Sequence, residues 1–395
     1  MDIFEKCMRF QDARIAREEG YYPYFVPFTG GDGTVVEYDG KKIIMLGSNN
    51  YLGLTNHPRL IEAAEKALKK YGTGRTGSRF LNGTIDIHVE FEKELAEFVG
   101  KKAALVFSTG YLVNLGVIST LVGKNDVVVI DRYDHASIVD GCLLSRGQIL
   151  RFRHNDLDDL KRILDSIPEN KGILVVVDGI FSMEGDIAKL PEIVDVVKKR
   201  KGARLMVDDA HSIGVLGPNG DGTSAHFGLT SDVDLIMGTF SKSFAAVGGF
   251  IAGDEYVVDY LKHHTRSFIF TASLPPSVVA STQEALKIIK GEPERRKHLW
   301  NISNYMREEF KKLGFDTSTS ETPIIPIVIG DSMKTFAFWK RLFEEGVYTN
   351  PVVAPAVPEN SARLRTSYIA THTFDQMNFV LEKFEKVGKE LGVIS

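Results

Sequence analysis

Lys242 stands in Gly238-Thr-Phe-Ser-Lys242-Ser243, directly after the apolar run Val233-Asp-Leu-Ile-Met237 and ahead of Gly248-Gly249. Among small and hydroxylic neighbours it is poorly placed as a solubilising charge and well placed to condense with an aldehyde. Asp208 closes a second apolar run, Leu205-Met-Val-Asp208, within Val207-Asp208-Asp-Ala-His211. If both runs are strands of one sheet, the amine and the carboxylate reach the same crevice. An amine for an imine and a carboxylate for a pyridinium nitrogen are the two groups that pyridoxal 5′-phosphate (PLP) chemistry requires. A Ser-Lys-Ser surface loop is the plainer reading of Lys242 taken alone, and the Asp208/His211 segment argues against it.

The elements that must position these groups follow from periodicity. From about residue 85 to 253, strand-like runs at 103–107, 126–130, 148–152, 173–177, 205–208, 233–237 and 249–252 alternate with helical stretches such as 157–167 and 190–200. This pattern predicts an α/β domain with a mostly parallel sheet covered on both faces. Ligands of such sheets bind beyond the carboxyl ends of the strands. Upstream, residues up to about 19 predict an amphipathic helix, Thr29-Gly-Gly-Asp-Gly33 a turn, and 34–38 with 41–46 a hairpin closed by Asp39-Gly40. His57-Pro58 opens a helix that runs to Tyr71. After Pro275-Pro276 come helices to about 290 and over 292–313, a strand at 324–329, a helix near 334–345, a strand around 363–367 and a last helix from about 374. The expected organisation is an N-terminal helix and hairpin (1–48) packing with a small α+β domain (281–395), and a large cofactor-binding domain (49–280).

Further candidates sit at strand ends or on paired positions. Ser108-Thr-Gly110-Tyr111 joins a strand to a helix, where backbone N–H groups and a glycine suit an anion; an ordinary turn is the alternative. His135, in Asp131-Arg-Tyr-Asp-His135-Ala-Ser, could stack on an aromatic cofactor, although a lone histidine is more often structural. His211 carries the same alternative, and Ser182 also follows a strand. Thr239, Ser241 and Ser243 flank Lys242 with hydroxyls. Arg363 and Arg365 alternate on one strand and so share a face; they suit a substrate carboxylate or, equally, a solvated edge. Gly72-Thr-Gly74-Arg-Thr-Gly77-Ser-Arg-Phe-Leu-Asn-Gly83 follows a helix rather than a strand, against a dinucleotide fingerprint and in favour of an active-site loop.

Composition narrows the classes. The 395 residues carry a net charge of -4, which gives no electrostatic reason to expect nucleic acid. The two cysteines, Cys7 and Cys142, form no metal-ligand pattern. No window of ~18 apolar residues suggests a membrane span, and a cytoplasmic protein is expected.

In combination these segments are similar to the α-oxoamine synthases, PLP-dependent acyl-CoA:amino acid C-acyltransferases with the fold type I, aspartate aminotransferase-like architecture and a seven-stranded sheet. The resemblance runs from Gly47-Ser-Asn-Asn-Tyr-Leu-Gly-Leu54 through Asp178-Gly-Ile-Phe-Ser-Met-Glu-Gly-Asp186 to Ala370-Thr-His-Thr373. It implies that Lys242 bonds the cofactor, Asp208 pairs with its ring nitrogen, His135 stacks on the ring, and His211 and Ser182 lie near its phenolic oxygen. It implies Gly110, Tyr111 and Thr239 at the phosphate, and Arg365 with Asn49 or Asn50 at the amino-acid carboxylate. It also implies a homodimer whose Thr271 and Ser273 reach the neighbour's phosphate. Gly77-Ser-Arg-Phe-Leu-Asn-Gly-Thr84 and Pro323-Ile-Ile-Pro resemble most the bacterial serine palmitoyltransferases, while Asn49-Asn50 also resembles glycine acetyltransferases. The implied reaction is a decarboxylative Claisen condensation of serine, glycine or alanine with an acyl-CoA. Glycine C-acetyltransferase and 8-amino-7-oxononanoate synthase activities stand as alternatives, as do an aminotransferase and an inactive acyl-CoA-binding subunit.

Overall fold

Seven aliphatic runs pair into one sheet. In the computed structural model, which describes residues 2–31 and 33–395, they are β1 (Ala103–Phe107), β2 (Val127–Asp131), β3 (Gln148–Phe152), β4 (Ile173–Asp178), β5 (Ala203–Asp208), β6 (Leu235–Thr239) and β7 (Gly249–Gly253). Their spatial order is β1-β7-β6-β5-β4-β2-β3. β2 to β6 run parallel, and β7 lies antiparallel between β1 and β6.

Strands β2 and β4 are buried at every residue. Alternate positions, Val128 and Ile130, Leu174 and Val176, join one apolar cluster with Val113, Val117 and Ile118 of the helix Gly110–Leu121. The intervening residues are buried too, so both faces are covered, and near-continuous Val/Ile runs are what such strands need. Deep burial of these side chains stabilises the sheet by roughly 1.5–3 kcal/mol each before entropy is counted.

By internal contacts the chain forms two units: residues 49–182 with 186–298, and residues 1–48 with 183–185 and 299–395. The second boundary falls at 298/299, beyond the expected 280/281, because the helix Pro276–Gly291 packs on Pro58–Tyr71 of the larger unit. In the smaller unit the hairpin Val35–Tyr38/Lys41–Met45 extends into a four-stranded sheet through Val347–Tyr348, which pairs parallel with Lys41–Met45. Gly30–Gly31 pairs with Val36 and Glu37; Asp32 of the expected turn lies outside the described residues. The expected N-terminal helix is two short ones, Glu5–Arg9 and Asp12–Glu18, neither with a buried residue. Without an apolar face held by packing, so short a segment has little to propagate a continuous helix. Among the described residues, no helix is long and apolar enough to cross a membrane.

Candidate active site

Buried rings on either side place Lys242. β6 runs into a turn that returns as β7, with Gly249 opposite Thr239. Phe240 and Phe244 are fully buried, with ring centroids 5.2 Å apart, and Phe240 also stacks on Phe250. The turn is closed by the Phe240 N–H donating to the Gly248 carbonyl at 2.9 Å and the Ala246 N–H donating to the Phe240 carbonyl at 2.8 Å. Gly248 has φ 128°, and a Cβ there would lie 2.6 Å from the Phe240 ring, so the turn requires glycine.

Asp178 and Asp208 end β4 and β5 side by side, and Thr239 ends β6 two residues past the position opposite Asp208, all at the carboxyl edge of the sheet. Both Asp208 oxygens are held. Oδ1 accepts from the Ala210 N–H at 2.9 Å and Oδ2 from Asn114 Nδ2 at 2.6 Å. His135 caps the helix Ala136–Leu144: its Nδ1 accepts from the Ser137 N–H at 3.2 Å, and its own N–H donates to Asp178 Oδ2 at 3.2 Å. Thr109 caps Gly110–Leu121 by accepting from the Leu112 N–H. The Gly110 and Tyr111 N–H groups, in the first turn, have no partner within that helix.

These strand ends and helix starts enclose a cavity of about 310 Å³ within the larger unit. Seven expected residues line it: Gly110, Tyr111, His135, Asp208, His211, Thr239 and Lys242. Ser182, Asn49, Asn50, Thr271 and Ser273 are outside the lining. Asn50 is engaged in its own turn, accepting from the Leu54 N–H and donating to Thr55 Oγ1. The Tyr111 hydroxyl donates to Asp140, so its side chain points to a carboxylate and its backbone N–H is the group suited to an anion. Ala272 pairs with Ser78 in a single bridge, which ties the 271–273 segment to the glycine-rich loop. That loop is anchored by Arg79, buried in a two-point ion pair with Glu92 at 2.8 and 2.9 Å.

Arg363 and Arg365 lie in the smaller unit on Ala362–Ser367, the central strand of a three-stranded sheet, and both are buried. The solvated-edge reading is therefore overturned. Arg363 is spent on structure, donating to the Ser361 and Met183 carbonyls and pairing with Glu184 at 3.3 Å.

Sequence reasoning missed three neighbours of the candidates. The Tyr51 hydroxyl shares a hydrogen bond with His211 Nδ1 at 2.7 Å. Asn114 lies four residues after Gly110, hence on the same helix face, a signal that was available. Asp178 also lines the cavity. Burial, and after it the charge of Asp208, raises the Asp178 carboxyl well above the usual carboxylate range. Burial lowers the His135 imidazole, partly offset by Asp208.

The aminotransferase class I and II family model matches residues 41–384. Serine palmitoyltransferase of Sphingobacterium spiritivorum is 51% identical over 393 residues, covering 100% of this chain and 98% of that protein. An 8-amino-7-oxononanoate synthase of Thermoanaerobacter pseudethanolicus is 46% identical over 357 residues, 90% of each. The solved structure of a serine palmitoyltransferase variant from S. paucimobilis, with a bound PLP–myriocin aldimine, superposes with a TM-score of 0.95 at 39% identity and covers 100% of both chains.

The chain belongs to the α-oxoamine synthases. It is a PLP-dependent acyltransferase of fold type I. The cavity suits that cofactor on its own geometry. It offers one amine, one carboxylate held by two donors, a flat imidazole and a helix start. A Cβ on Gly110 would lie 2.6 Å from Thr239 Oγ1, and one on Gly249 would lie 2.8 Å from the Gly110 Cα. Side chains are thus absent beside the start of that helix, where backbone N–H groups are open to an anion.

Proposed function

We propose that this enzyme condenses L-serine with a long-chain acyl-CoA: the serine Cα bonds to the acyl carbonyl as the thioester C–S bond breaks, and the serine carboxylate leaves as carbon dioxide. The products are an α-amino ketone, free CoA and CO2. The observation that carries the chemistry is that Lys242 and Asp208 line one cavity with His135 and the start of a helix. Near-end-to-end identity of 46–51% to proteins named serine palmitoyltransferase supports serine and a long acyl chain.

Bound PLP supplies an aldehyde for Lys242 and an electron sink for the negative charge that develops at the substrate Cα. In this reading Lys242 holds the cofactor, yields its place to the serine amine, and then removes the Cα proton as a general base. Asp208, fixed by Ala210 and Asn114, faces the ring nitrogen and favours its protonated form. His135 covers the ring, with His211 and Ser182 near the phenolic oxygen. The Gly110 and Tyr111 N–H groups and the Thr239 hydroxyl hold the phosphate, and Arg365 is the residue we assign to the serine carboxylate. The enzyme acts as a cytoplasmic homodimer, in which the partner subunit's Thr271 and Ser273 complete the phosphate site. Leu81 and Phe270, 77% and 76% exposed near the bridged 78/272 segments, support an apolar contact there.

The test is release of free thiol from acyl-CoAs of C2 to C18 with serine, glycine and alanine in turn. Serine with C14–C18 chains is expected to be fastest. The similarity to 8-amino-7-oxononanoate synthases supports a second reading, alanine with a shorter acyl thioester, which the same panel separates. No thiol release with any pair refutes both, and keto-acid formation without CoA would mark an aminotransferase.

A further inference from the structure

Asn114 is buried in the helix Gly110–Leu121, touches Asp208 and reaches His135 through Ser137. Its Nδ2 donates to Asp208 Oδ2 at 2.6 Å and to Ser137 Oγ at 2.9 Å. Ser137 Oγ lies 2.7 Å from His135 Nδ1. The direction of this chain is fixed. The Ser137 backbone N–H can only donate, so Nδ1 of His135 is an acceptor. The Ser137 hydroxyl, which accepts from Asn114, therefore sends its own proton to the same nitrogen, and a neutral His135 carries its proton on Nε2. Asn114 Oδ1 has no hydrogen-bond partner among the described residues. A flipped amide would set that oxygen against the Asp208 carboxylate, so the Asp208 contact selects the observed orientation, whereas the Ser137 hydroxyl would tolerate either.

We propose that Asn114 is a positioning residue for two groups at once, holding the Asp208 carboxylate for the cofactor nitrogen and, through Ser137, keeping His135 as an Nε2–H donor. This rests on the PLP reading for its purpose, but its hydrogen bonds belong to the chain alone. Asp178, Asp208, Lys242, His211 and Tyr111 are the titratable groups that line the cavity with His135.

The test uses the full chain labelled with 15N at its histidine rings, with a His135→Gln sample to assign the signal. Wild-type apoprotein and holoprotein are expected to show His135 as a neutral Nε2–H imidazole at pH 7.5. Its titration midpoint is expected to rise by about one pH unit in both Asn114→Leu and Ser137→Ala, the size of one lost hydrogen bond. Cofactor affinity, read as visible absorbance when PLP is added to apoprotein, separates the two variants. It falls about tenfold in Asn114→Leu and less than about threefold in Ser137→Ala, because only the first releases Asp208. A proton on Nδ1 in the wild type, or an unmoved midpoint in both variants, overturns the proposal. If Asn114→Leu does not fold, the wild-type tautomer and Ser137→Ala decide it. Wild-type protein with the expected tautomer but no absorbance with PLP refutes the PLP reading instead.

Discussion

His154 is expected to be a half-buried cation at neutral pH, and His154→Gln tests this. Its Nδ1 lies 3.0 Å from Asp131 Oδ1 and its Nε2 2.9 Å from Asp186 Oδ2. Both nitrogens can donate only in the imidazolium form. Burial opposes that charge, but the hydrogen bonds to Asp131 and Asp186 and their charges outweigh it and push the group up to about 10. An unfolded histidine titrates near 6.5. The stability gained is therefore complete below about pH 6.5 and is lost as the pH rises towards 10.

At about 1.4 kcal/mol per unit, the full contribution is roughly 5 kcal/mol. By linkage about 3 kcal/mol remains at pH 7.5 and about 1 at pH 9.5. An unfolding entropy of about 2 cal/mol/K per residue makes those differences about 4 °C and about 1 °C in Tm for this chain. Thermal unfolding of wild type and His154→Gln across pH 7.5–9.5 is the assay, and the Tm gap is expected to narrow by about 3 °C. A gap that stays constant would mean the native imidazole is neutral, and the argument from the two carboxylates would fail. The pair matters to the site because Asp131 also accepts the Tyr133 N–H, two residues before His135.

Lys242→Ala is expected to abolish the visible absorbance that appears when PLP is added and to lower turnover by at least about 10²–10⁴-fold, read by thiol release. Gly110→Ala places a methyl 2.6 Å from Thr239 Oγ1; PLP affinity is expected to fall about tenfold or more, measured by absorbance titration. Arg79→Leu leaves Glu92 buried with the Val106 N–H but no cation, and is expected to cost about 3–5 kcal/mol of unfolding free energy, measured by urea denaturation. Equal stability of that variant would show that water replaces the guanidinium.

The sheet was legible because its central strands, buried on both faces, must be aliphatic nearly throughout. β1 and β3 match their sequence runs at both ends, and the others differ by one or two residues. The two-residue strand Val347–Tyr348 was not legible, since so short a run owes its existence to the neighbouring Lys41–Met45. The domain edge slipped because Pro275-Pro276 reads as punctuation, whereas Pro276 here opens a helix that packs back on the larger unit. At the site, Lys242 and Asp208 showed through as polar residues closing apolar strands. Tyr51 did not, because it acts on His211 across elements; Asn114 shares a helix face with Gly110, but its partner Asp208 lies on another element, and spacing does not show that contact.

His135 illustrates how a broken local rule marks such a place. Helix starts favour Ser, Thr, Asp or Asn as the capping residue, and Asp134 stands one position too early to serve. Its carboxylate is taken instead by the N–H groups of Asp131 and Asp178. The cap falls to an imidazole, whose Nδ1 gives the acceptor a serine would give while its ring supplies a flat face and a second nitrogen. Asparagine or serine would cap as well and present neither. A weaker cap is kept where the residue must do something besides capping, which is where conflict between local preference and observed residue is expected.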